Sequence, residues 1–127
     1  MFASLIAIVA AASGLPGTGW HAEGRCNYPA TLGEPAPGER RTFCNSVSID
    51  GPAITFERDG RGAVIAFRGE WDGDRMDVRQ VDPPAGNPLS ARGECAIYRK
   101  GGRVSAVSCV ASQGARTWVA NFLPDGV

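Results

Sequence analysis

The chain has one histidine and one lysine in 127 residues. It has no Gly-x-Ser-x-Gly elbow, no Cys-x2-Cys pair and no glycine-rich phosphate loop following a strand. No one of these absences rules out a class of chemistry; their weight is joint. The lone imidazole, His21, lies in a Gly/Pro-rich stretch before Cys26, so a Ser–His or Cys–His couple would have to recruit it from there. It reads as an exposed tail residue. Without Cys-x2-Cys, neither a zinc knuckle nor a thioredoxin-like redox pair is expected. Twelve arginines and the single lysine balance thirteen acids, giving formal neutrality and no basic stripe for nucleic acid. No cofactor motif is present and no cofactor is expected. Enzymes are left short of parts.

Charge is also missing from the start of the chain, where the first charged side chain is Glu23. Residues 2–12 form an apolar run of signal-peptide length, and Ala10-Ala11-Ala12 supplies a small-residue cleavage site. The run falls short of the roughly 20 residues that span a bilayer. Residues 1–12 are therefore read as a signal peptide whose only positive charge is the terminal amine. Cys26 follows Glu-Gly-Arg, which is not the small-residue and leucine pattern preceding a lipidated cysteine. The expected product is soluble, and periplasmic or secreted.

Export gives the four cysteines their meaning, because oxidising compartments let disulfides persist. Their spacing is C-x17-C-x50-C-x13-C, and an even number in a short exported chain reads as a set of staples. Cys95 and Cys109 flank Gly101-Gly102 in a segment of alternating apolar residues. A two-residue loop there would set Lys100 opposite Arg103 and Cys95 opposite Ser108, leaving Cys109 on the other face. A loop of odd length sets Lys100 opposite Val104, Ile97 opposite Val107 and Cys95 opposite Cys109. The second register gathers Cys95, Ile97, Val107 and Cys109 on one core-like face and is the one expected, through a three-residue loop with a bulge. Closing that 15-residue loop is worth about 3 kcal/mol in the chain-entropy model. By elimination, Cys26 pairs with Cys44.

Residues 13–41 hold six glycines and four prolines and show no sustained period, so they read as an irregular arm. Residues 42–127 read as a β domain. Its runs are 42–50, 53–58, 63–68, 75–81, 94–100, 104–112 and 117–123, punctuated by Asp-Gly, Gly-Gly and Gln-Gly turns. Seven short strands and no amphipathic helix predict a single all-β fold, an antiparallel meander closing into a barrel or curved sandwich. The three prolines of 82–93 exclude a central strand there and suggest a link crossing one end of the sheet. Two runs, 63–68 and 117–123, are apolar on both faces, which calls for cover from the 13–41 arm, from a second copy in a homodimer or from a ligand. Arg-Gly-Glu occurs at 68–70 and again at 92–94, too short an echo to establish a repeat.

Two groups remain as candidate sites. Trp71, Arg75 and Tyr98 combine the residue types enriched at binding hot spots, and point to a protein or envelope component as partner. Glu70, Asp72, Asp74 and Asp77 crowd into eight residues. Asp72, Asp74 and Asp77 are a weak calcium candidate, off the EF-hand spacing, and the same carboxylates are the only basis for a small hydrolase. The functional expectation is an exported, non-catalytic binding or inhibitory module. The alternatives are that hydrolase or a self-assembling structural subunit.

Overall fold

A computed structural model describes residues 19–27, 44–58, 62–84 and 86–126. The proposed signal peptide, 1–12, lies outside them. Eight strands follow one another: β1 (Trp20–Asn27), β2 (Ser46–Asp50), β3 (Ala53–Arg58), β4 (Gly62–Asp72), β5 (Arg75–Asp82), β6 (Leu89–Lys100), β7 (Arg103–Gln113) and β8 (Arg116–Pro124). Each pairs antiparallel with the next, and β1 pairs with β8, so the sheet is a closed barrel in sequence order. Closure removes the free edges that an open meander would present.

The hairpins form where the turn chemistry demands. Gly51, Gly73, Gly101 and Gly114 open two-residue loops with φ of 57–64°, a left-handed conformation that glycine adopts without steric cost and that matches strand twist. Along the strands, alternation sends one face inward. Val47, Ile49, Ile54, Phe56, Ile65, Phe67, Met76, Val78, Val107 and Phe122 fill the interior, with Phe56 and Phe67 packed edge to face at 5.8 Å. An eight-stranded barrel is just wide enough for such side chains to fill.

Three sequence expectations need correction. The stretch 13–41 is not irregular throughout, because Trp20–Asn27 forms β1. Trp20, Ala22 and Cys26 pack against the core while His21, Glu23 and Arg25 face outward. That alternation is complete but weak, since its inward residues after Trp20 are small. Residues 13–18 and 28–41 lie outside the described residues. The 82–93 segment does not cross an end of the barrel either. β5 extends to Asp82 and β6 begins at Leu89, so the connection joins two neighbours and its prolines fall outside the paired backbone.

The third correction concerns the cysteine hairpin. Cys95 does sit opposite Cys109, Ile97 opposite Val107 and Tyr98 opposite Ala106, but Lys100 faces Arg103 across a two-residue turn. The odd residue lies in β7 instead: Arg99 pairs with Val104, Tyr98 pairs with Ala106, and Ser105 is the extra residue of a bulge. The bulge widens the spacing of core-packed residues from two to three, keeping both Val104 and Val107 against the interior. A bulge around Arg79 does the same in β5, where Met76, Val78 and Val81 are all buried. Disulfides join Cys95 to Cys109 and Cys26 to Cys44, as the spacing predicts, and leave no free cysteine. Two such bonds suit an oxidising compartment.

The Arg-Gly-Glu echo has a geometric role. Val78 pairs with Gly69 on one side and with Gly93 on the other. A Cβ on Gly69 would lie 1.9 Å from the Asp77 carbonyl oxygen, and one on Gly93 would lie 1.9 Å from that of Val110. Only glycine permits β4 to approach β5, and β6 to approach β7, so closely. The flanking residues point outward: Glu70 lies 3.8 Å from Arg79, and Glu94 pairs with Arg75.

Candidate functional site

The structure separates the three proposed binding residues. Trp71 pairs with the buried Met76 and so points inward, where it packs against the core at one end of the barrel. Its indole Nε1 donates to the Gly51 carbonyl at 2.8 Å, tying the β2–β3 turn to β4. That is a stapling role, and Trp71 leaves the candidate surface. Arg75 and Tyr98 stay together on the outer wall: Arg75 pairs with Ala96, two residues from Tyr98 on the same face of β6. Tyr98 is 52% exposed.

Of the four clustered acids, Glu70, Asp74 and Asp77 face an arginine. Arg99 binds both oxygens of Asp74, at 2.9 and 3.2 Å. Arg79 donates to Asp77 at 2.8 Å, and that hydrogen bond, with the charges of Asp77 and Glu70, holds its guanidinium above the ordinary arginine value. Arg68 pairs with Asp82 at 3.0 Å, and Arg75 with Glu94. Among the described residues no three His, Cys, Asp or Glu side chains come together as a metal site, and Asp72, Asp74 and Asp77 do not converge. A carboxylate already bound to a guanidinium is a poor general base and a poor ligand.

Two features had little signal in the sequence. The first is at His21, which belongs to β1 and not to a loose tail. Its Nδ1 lies 2.8 Å from the Ser48 hydroxyl, which donates to Glu57 at 2.7 Å. The order is wrong for nucleophile activation by histidine, because the serine proton points at the carboxylate and not at the imidazole. The cluster instead stitches β1 to β2 and β3. The second is the outer face of β6–β8. Among the described residues Tyr98, Val110 and Leu123 are the large exposed hydrophobic ones, at 52%, 42% and 48%. Around them Ala106, Ser108, Val119 and Asn121 continue an uncharged strip along β7 and β8, bordered by Glu94 of β6 opposite Val110, by Arg25 of β1 opposite Leu123, and by a hairpin tip where Lys100 lies directly opposite Arg103. No carboxylate partners those two cations among the described residues.

Elsewhere the outside of the barrel is charged, with Arg25, Glu57, Arg68, Arg79 and Glu94 all pointing away from an apolar interior. This is the reverse of a lipid-embedded barrel, which wears its apolar band outside. No helix among the described residues is long and apolar enough to cross a membrane. No buried side-chain nitrogen or oxygen among the described residues lacks a hydrogen-bond partner, so no orphaned polar group points into the core. Comparisons of the chain with protein-family models, curated proteins and solved structures returned no match.

Proposed function

We propose that the chain is an exported binding module, periplasmic or secreted, that captures a protein or envelope component on the outer face of β6–β8. The observation carrying this reading is the contrast between the two sides of the wall. Among the described residues the interior is filled by side chains and offers no polar group in search of a partner, whereas Tyr98, Val110 and Leu123 are exposed along the outer face of β6–β8, spaced across the rows that Ala106, Ser108 and Asn121 fill. Aromatic and arginine side chains on such a face are the usual anchors of protein recognition. Lys100 and Arg103, which no carboxylate partners among the described residues, border it and favour a partner carrying acidic groups beside an apolar patch.

Alanine at Arg75 and Tyr98 tests the surface. Capture of a partner from envelope extract should be lost while the melting temperature moves by no more than about 2 °C. Trp71→Ala, in contrast, should lower the melting temperature, because it removes a core contact and the bond to Gly51. A large fall in melting temperature for the Arg75/Tyr98 variant would show that those residues hold the fold together and that the surface is misplaced. Self-assembly through the same outer face is the competing use, and sedimentation of a monomer at high micromolar concentration would dispose of it.

A further inference from the structure

The two disulfides occupy different mechanical positions. Cys95 and Cys109 are 0% exposed and lie inside the β6–β7 hairpin, whose strands are paired along nine registered positions. Cys26 is partly exposed and belongs to β1, the strand that closes the ring. β1 splits its short length between two neighbours: Trp20–Glu23 pair with β2, and Gly24–Asn27 pair with β8. Each of these ladders has four registered pairs, whereas the other seams have five to nine. No tight hairpin holds β1 to β2, since seventeen residues separate Cys26 from Cys44. Beyond Trp20, its inward residues are Ala22, Gly24 and Cys26, which bury little apolar surface.

We propose that the Cys26–Cys44 bond is the latch of the barrel, and that its reduction releases β1 and opens the ring between β2 and β8. The bond sits where β1 meets the chain entering β2, with the Cys26 amide donating to the Cys44 carbonyl at 3.3 Å and the Gly24 amide to that of Asn45 at 2.9 Å. The chemistry requires a dithiol reductant. One of its thiolates attacks a sulfur of the bond to form a mixed disulfide, and its second thiol resolves that intermediate. Cys26 and Cys44 leave as thiols, having gained two electrons and two protons, and the reagent leaves as a disulfide. Without β1, strands β2 and β8 become free edges, each a template for another strand, and the side of the core near Val47 and Phe122 is uncovered. The hairpin bond cannot serve this way, because access to it requires the best-paired seam of the barrel to unfold.

Graded reduction with dithiothreitol under native conditions, followed by peptide mapping and amide hydrogen exchange, tests the latch. The Cys26–Cys44 bond should be lost about tenfold or more faster than Cys95–Cys109. Exchange should then rise over 20–27, 46–49 and 121–124 while the amides of 95–109 stay protected. Loss of both bonds in one step with exchange rising throughout, or a β1 still protected after its bond is reduced, would overturn the proposal. The Cys26→Ser, Cys44→Ser variant should reproduce the open exchange pattern without reductant. Should it fail to fold, graded reduction of the wild-type protein still decides the matter.

Discussion

Gly69 and Gly93 show how single residues set the curvature of this barrel. They lie on either side of Val78 in one inward row that continues through Ala111 to Trp118. Small residues in that row let the backbones close up where the Trp118 indole occupies the interior. Gly93→Ala places a methyl against the Val110 carbonyl and the Ala111 backbone, neither of which can rotate away. It should cost about 3 kcal/mol, at the upper end of overpacking effects, read as a lower urea midpoint with an unchanged slope. An unchanged midpoint would mean that the strands do not approach as described. The reason for two Arg-Gly-Glu segments was not legible in the chain, because the demand for glycine comes from a neighbouring strand. His21 is similar. Its partners lie 27 and 36 positions away, across strand pairings that local sequence does not announce.

At the scale of elements, hairpin chemistry was readable and registers were only half so. Asp-Gly, Gly-Gly and Gln-Gly located their turns because a left-handed residue is required there. The requirement that Cys95 and Cys109 share a face fixed the parity of the β6–β7 connection, but parity does not say where the odd residue resides. It resides at Ser105. Deleting Ser105 should therefore straighten β7 and leave Lys100 opposite Arg103 and Cys95 bonded to Cys109, as non-reducing peptide mapping would show. Loss of that bond in the deletion variant would place the odd residue in the turn. Strand β1 was hidden for another reason: Ala22, Gly24 and Cys26 alternate correctly but are too small to stand out beside so much glycine and proline.

For the whole molecule, the decisive feature is the division between a filled interior and a mostly charged exterior. Alternation within the strands specified that division, and the even cysteine count specified its covalent support. The apolar strip on the outside of β6–β8 was visible only in part. Val119 and Leu123 stood out as apolar residues on the wrong side of their strand, but their union with Tyr98 and Val110 depends on three strands lying side by side. The closed ring also assigns its two disulfides separate duties, one inside a hairpin and one across the closing strand.

Closure, register and an oxidising destination meet in a single measurement: a non-reducing tryptic map of the protein recovered from its native host. Two linked pairs and no alkylated cysteine are expected, with residues 26–40 joined to 42–58 and residues 93–99 joined to 104–116. Crossed linkages would contradict the barrel and its registers. Four freely alkylated thiols would contradict the disulfide-clamped, exported protein on which the proposed function rests.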